Sequence, residues 1–180
     1  LTLNATGTAV YVASGTSTGQ NIDRFAIAAS GTLSPVVSTS VTIDPDYVTL
    51  NPDGTRLYLV SRTDDQVLVF DVNPDTSLAA SPIVVNTGTN PTSIGFNQAG
   101  TTAYLTRNNN SDNLVVYSVA ANGGLIQTTS RTQSNSPIDM VLSSDGNHLY
   151  VLDSSNKQIN HFSIDSTFGN PTFVAQTNIS

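Results

Sequence analysis

Residues 50–71 read LNPDGTRLYLVSRTDDQVLVFD. Asn51-Pro52-Asp53-Gly54 carries the chemistry of a tight turn: proline presets φ, aspartate bonds its own backbone and glycine accepts a positive φ. Arg56 to Val60 then alternates polar and apolar residues and is rich in β-formers, and Gln66 to Val72 repeats the pattern around Val67, Val69 and Phe70. The polar stretch Ser61-Arg62-Thr63-Asp64-Asp65 lies between them. A turn followed by a hairpin is the reading. The same unit recurs along the chain. Its turn glycines are Gly7, Gly54, Gly100 and Gly146, about 46 residues apart, and a tyrosine follows each by four positions: Tyr11, Tyr58, Tyr104 and Tyr150. A second aromatic stays in phase as Phe25, Phe70, Tyr117 and Phe162. A period of this length made only of strands is the signature of propeller blades.

The expected architecture is therefore all-β: a four-bladed β-propeller of four ~46-residue, four-stranded repeats forming one domain over 1–180. The blades fall near 1–46, 47–92, 93–137 and 138–180. Ser14 to Asn21 reads as a flexible loop. Pro45, Pro91 and Pro137 precede or open inner strands, where a missing N–H does no harm. The repeated Tyr and Phe anchors read as core between blades. Both ends of the chain fall at one phase of the repeat, so the unit is expected to be one bead of a tandem array.

Composition restricts the function. Charged residues make up only 11%, the net charge is −7, and all thirteen acidic residues are Asp. Lys157 is the single lysine beside five arginines. No basic stripe exists to neutralise phosphates, which argues against nucleic acid and against an anionic membrane surface. No apolar run approaches the ~18 residues of a membrane span. A Ser/Thr/Asn-rich surface with few charges points to an extracellular or cell-surface setting. There is no cysteine, so no disulfide supports the fold. Asn4-Ala5-Thr6, Asn109-Asn110-Ser111 and Asn178-Ile179-Ser180 fit the glycosylation sequon.

Several residues carry candidate chemistry. Asp64, Asp65 and Asp112 lie in loops between second and third strands, with Asp153 at the equivalent place in the last repeat, and oxygen-rich loops suit Ca²⁺. Asp44 and Asp46 flank Pro45 in a similar setting. These same aspartates also serve as turn residues. His148 and His161 fall on adjacent strands, as a cross-strand pair or as part of a metal site. Asp139 is a lone carboxylate on an inner strand. No G-x-S-x-G, H-E-x-x-H, P-loop or G-x-G-x-x-G motif occurs.

Asn51-Pro52-Asp53-Gly54 with Leu57-Tyr58-Leu59-Val60, and Ser144-Asp145-Gly146 with Leu149-Tyr150-Val151-Leu152, resemble the YVTN family of β-propeller repeats and the related lactonase-like propellers, including those of surface layers. Tyr11-Val12-Ala13-Ser14 is close to the naming motif. Gly31-Thr32-Leu33 and Gly123-Gly124-Leu125 resemble the third turn of lactonase-like blades. The resemblance implies about seven blades and, in the enzymes, polar channel residues that include Glu and Arg. This chain has no Glu, and its arginines fall on second strands or outer segments, so no catalytic residue is carried over. The leading expectation is a structural module without enzymatic activity, assembling with copies of itself in an array or filament, with Ca²⁺ at the loop rim. A glycan- or protein-binding module is the alternative, and a lactonase-like hydrolase follows, to be tested at Asp139 and His148.

Overall fold

The computed structural model describes residues 1–16, 19–109, 111–132 and 135–179. Among them there is no helix; the chain is sixteen strands in four antiparallel four-stranded sheets, each built from strands consecutive in sequence. These are the all-β, four-stranded repeats read from the sequence, each with the meander topology of a propeller blade. The chain divides into two compact units, Leu1–Thr87 and Gly88–Ser180.

The first unit holds β1 (Thr2–Leu3), β2 (Ala9–Thr16), β3 (Gly19–Ala26) and β4 (Val37–Val41), then β5 (Tyr47–Leu50), β6 (Arg56–Ser61), β7 (Gln66–Asp71) and β8 (Ile83–Asn86). The second holds β9 (Pro91–Phe96), β10 (Thr102–Arg107), β11 (Leu114–Val119) and β12 (Leu125–Arg131), then β13 (Pro137–Leu142), β14 (His148–Asp153), β15 (Gln158–Ile164) and β16 (Pro171–Asn178). The stretch expected to be a loop from Ser14 to Asn21 is largely strand. Ser14 pairs with Asn21, Gly15 with Gln20 and Thr16 with Gly19. The Ser14 hydroxyl donates to Asp23 Oδ2 at 2.6 Å, which extends the hairpin although its side chains are too small to show an apolar pattern. Residues 17 and 18 lie outside the described residues.

One side-chain position locks the turn before every second strand. Asn4 Oδ1 accepts from the backbone N–H of Thr8 and Ala9, Asn51 Oδ1 from Arg56, Asn97 Oδ1 from Thr101 and Thr102, and Ser143 Oγ from His148. The N–H three residues on, at Gly7, Gly54, Gly100 and Gly146, returns to the same residue's carbonyl. Each of these glycines has φ between 66° and 72°, a region that penalises any Cβ.

Alternation along the strands then builds the cores. In the first unit, Ala9, Tyr11 and Ile22 pack with Leu57, Leu59, Leu68 and Phe70. In the second, Tyr104, Leu114 and Val116 pack with Leu149, Val151 and Phe162. The second-strand tyrosine ends in a fixed polar contact: Tyr11 Oη donates to the Thr76 carbonyl at 2.7 Å, and Tyr104 Oη to that of Gly169 at 2.8 Å. Both partners lie in the third turn of the following sheet, 65 residues on. Burial pushes the Tyr104 hydroxyl up to about 12. Tyr11, Tyr58 and Tyr104 are fully buried, as expected of core anchors; Tyr150 is only half-buried.

The turns also predict an acid response. The Thr55 hydroxyl and N–H hold Asp53 below the ordinary carboxylate value of 3.8, and Ser77 does the same to Asp75. The Asp44 N–H and Ser61 hydroxyl depress Asp64. The Ser143 hydroxyl, with the N–H and side chain of Asn147, brings Asp145 down to about 2. A carboxylate whose folded pKa is depressed stabilises the fold above its unfolded value and loses that contribution as pH falls through the folded one. Stability is therefore expected to be flat from neutral pH to about pH 5 and to decline between about pH 4 and 2. Urea midpoints across that range check it; a decline already complete above about pH 5 would mean that these carboxylates do not set the acid response.

Candidate functional site

The expected calcium residues lie in well-formed loops. In the first unit, Asp64 Oδ2 accepts from the Asp44 N–H at 2.8 Å and from the Ser61 hydroxyl at 2.7 Å. Asp65 adopts φ 58°, and its carbonyl accepts from the N–H and hydroxyl of Thr87. Asp46 Oδ2 accepts from the Arg62 N–H at 2.7 Å. In the second unit, Asp112 adopts φ 52° and accepts from the Ser130 hydroxyl at 2.7 Å. Asp153 is buried, and it accepts from the N–H groups of Asn135 and Asn156. These carboxylates tie loops to loops. Among the described residues, no three His, Cys, Asp or Glu side chains converge as a metal-ligating group.

The second unit concentrates buried polar residues where β9 begins and β10 ends. The Thr106 hydroxyl lies 2.8 Å from those of both Thr92 and Ser93, all three buried. Arg107, next along, is buried at 8% exposure, and its Nε donates to the Asp112 carbonyl. Its guanidinium lies against Gly88, where a Cβ would collide with Nη1 and where φ is +77°. Glycine is required there on both counts.

The fourth sheet brings several titratable side chains to one face. Leu149, Val151 and Phe162 point into the core, so alternation puts His148, Tyr150, Leu152, Ile159 and His161 on the opposite face. Between Pro137 and Asp139 the β13–β14 register shifts by one residue, a bulge that brings Asp139 opposite Leu152. Bulges of this kind redirect a side chain. Asp139 borders an open cavity of about 120 Å³ together with Met140, Val141, Tyr150, Leu152 and Ile159. Its Oδ1 accepts from the Met140 N–H at 2.8 Å. Tyr150 stacks on His161, with centroids 4.9 Å apart and planes at 14°. His161 Nε2 is 3.0 Å from His148 Nδ1. Asp139, Tyr150 and the two histidines thus share one face of one sheet, over a mainly apolar wall. Asp139 and the histidines were singled out in the sequence. Tyr150 was assigned to the core because it shares the phase of Tyr11, Tyr58 and Tyr104.

Two stretches, residues 9–106 and 98–179, match the family model described as lactonase, seven-bladed β-propeller. The chain belongs to the lactonase family of seven-bladed β-propellers. No curated protein matches it in sequence. Among solved structures, the periplasmic gluconolactonase of Pseudomonas aeruginosa is 24% identical with a TM-score of 0.83, over 98% of this chain and 55% of that one. A protein of Bacteroides fragilis proposed to be a 6-phosphogluconolactonase is 18% identical with a TM-score of 0.79, over 98% and 53%. A protein of unknown function from Desulfotomaculum acetoxidans is 18% identical with a TM-score of 0.81, over 97% and 54%. At these identities the likeness is one of fold, and the chain spans about half the length of the structures it matches.

Family membership corrects two expectations. A structural module serving as a repeated bead in an array or filament is overturned by the lactonase match, and so is the absence of enzymatic activity. The composition that suggested a scaffold, with few charges and no Glu, reports on the surface. Function rests on a few residues at a site and not on the composition of the surface.

Proposed function

We propose that this chain belongs to a hydrolase that opens lactone rings, working outside the cytoplasm. The observation that carries the proposal is the lactonase family match across nearly the whole chain. The low-charge Ser/Thr/Asn surface and the fold likeness to a periplasmic gluconolactonase support the setting.

Within this chain the reacting groups we assign are Asp139 and Tyr150, which line one cavity. In lactone hydrolysis a water oxygen bonds to the carbonyl carbon and the acyl bond to the ring oxygen breaks. The water's proton leaves, and the ring oxygen gains one, giving a hydroxy acid. Asp139 is placed to accept the water's proton through the oxygen not bonded to Met140 N–H, and the Tyr150 hydroxyl to donate toward the substrate's oxygen. Met140, Val141, Leu152 and Ile159 offer an apolar bed for the carbon skeleton of the substrate beside these two polar groups.

Purified protein is assayed by pH-stat on glucono-1,5-lactone, with the spontaneous rate subtracted. The wild type is expected to accelerate opening, and Asp139→Asn to lower kcat/KM by about 10² to 10⁴-fold. No acceleration by the wild type overturns the hydrolase reading. Full activity in Asp139→Asn keeps that reading and overturns the site.

A further inference from the structure

The two histidines of this chain stand on neighbouring strands, one register step apart: Tyr150 pairs with His161, and His148 with Ser163. Their rings turn toward each other, with centroids 5.0 Å apart, planes at 52°, and His148 Nδ1 3.0 Å from His161 Nε2. We infer that His148 and His161 form a chelating site for a late first-row divalent cation, Cu²⁺ foremost.

The spacing supports this. With metal–nitrogen bonds of about 2.0–2.1 Å, two imidazole nitrogens bound at 90° lie about 2.9 Å apart, and at the tetrahedral angle about 3.3 Å. The observed 3.0 Å lies beside the right-angle value, which is the cis arrangement of tetragonal Cu²⁺. Both side chains are already oriented. His161 is stacked on Tyr150. The backbone of His148 is bound on both sides by Ser143, whose hydroxyl accepts from its N–H and whose N–H donates to its carbonyl. Holding two ligands in place before the metal arrives removes part of the ordering cost of binding. The Asp145 carboxylate, in the same turn, interacts electrostatically with His148 and adds negative charge nearby.

Without metal, one imidazole N–H bridges the two rings. When a cation binds, that proton moves to the outer nitrogen of its own ring, and both inner nitrogens present lone pairs. Solvent fills the remaining coordination positions. Acid weakens binding, because an imidazolium nitrogen has no lone pair to offer. The site uses neither Asp139 nor the hydrolase reading, and its test does not depend on turnover.

Tag-free protein is titrated with Cu²⁺ in a non-coordinating buffer, by calorimetry and by electron paramagnetic resonance. One equivalent is expected to bind with nitrogen hyperfine structure from two imidazoles. His148→Gln and His161→Gln are each expected to weaken binding at least tenfold. An unchanged spectrum in the double variant overturns the proposal, as does the absence of a one-equivalent site. If a variant fails to fold, the wild type decides by nuclear magnetic resonance: Zn²⁺ must shift the ring protons of both histidines together, and shifts confined to Asp-bearing loops overturn the assignment.

Discussion

Phe162→Ala is expected to destabilise the second unit by about 4 kcal/mol, within the range found when a buried phenylalanine is reduced to alanine. Phe162 is 1% exposed and lies in the cluster formed by Tyr104, Leu114, Val116, Leu149 and Val151. It pairs across strands with Leu149 and meets Phe173 edge-on, with centroids 5.8 Å apart and planes at 76°. Truncation loses the transfer energy of the ring, the edge contact and the packing of the cavity walls. Because β14 and β15 are held by ladder hydrogen bonds on both sides, the cavity collapses little, and the cost stays above the low end of the range. At an m-value of about 2 kcal/mol per M, the urea midpoint falls by about 2 M. Hydrogen exchange at the Leu149 and Val151 amides locates the loss in this unit. Phe168 supplies the control: it is 73% exposed, and Phe168→Ala is expected to cost less than about 0.5 kcal/mol. Equal effects at the two positions would mean that the Phe162 ring is not packed as described.

The fold was legible because one turn recurs with its chemistry intact. Asn4, Asn51, Asn97 and Ser143 occupy the same position, and each caps the first N–H groups of the strand that follows. A tyrosine four residues beyond each turn glycine then fixes which face of the strand is buried. The end of the β2–β3 hairpin is not legible in the sequence for a related reason. Ser14, Gly15 and Thr16 have no apolar alternation, and their strand is held by ladder bonds and the Ser14–Asp23 contact.

Function was less legible, because catalytic groups need not share the period of the repeat. Asp139 has no counterpart in phase that would mark it, and only the bulge after Pro137 shows how it reaches the cavity. Tyr150 was hidden by the opposite effect. It has the phase of three buried tyrosines, yet it lies half-buried against His161. The paired histidines were visible as neighbours, but the 3.0 Å approach of their nitrogens depends on rotamers that spacing does not specify. The Asp-bearing loops suggested an ion because carboxylates crowd there. The structure shows them accepting from neighbouring N–H and hydroxyl groups.

Among those loop carboxylates, Asp153 is expected to matter most. It is fully buried. Its Oδ2 accepts from the Asn135 N–H at 2.8 Å and the Asn156 side-chain amide at 3.0 Å, and its Oδ1 from the Asn156 N–H at 3.1 Å. These bonds join the loop after β14 to the segment before β13, at the end where the inner strand that carries Asp139 begins. Asp153→Ala breaks them together and leaves donors facing a void. Hydrogen bonds to charged groups contribute about 1.5–3 kcal/mol each, and their losses overlap within one site, so a net cost of about 3–4 kcal/mol is expected. Asp153→Asn preserves the shape but turns one acceptor into a donor, and about 2 kcal/mol follows. Asp64 makes the comparable bonds to Asp44 N–H and the Ser61 hydroxyl, yet it is exposed, and water can replace the lost acceptor. Asp64→Ala should therefore cost less than about 1 kcal/mol. Urea unfolding of the three variants measures the contrast. If Asp64→Ala and Asp153→Ala cost the same, burial does not set the strength of this joint, and the β13 inner strand must be positioned by its ladder to β14 alone.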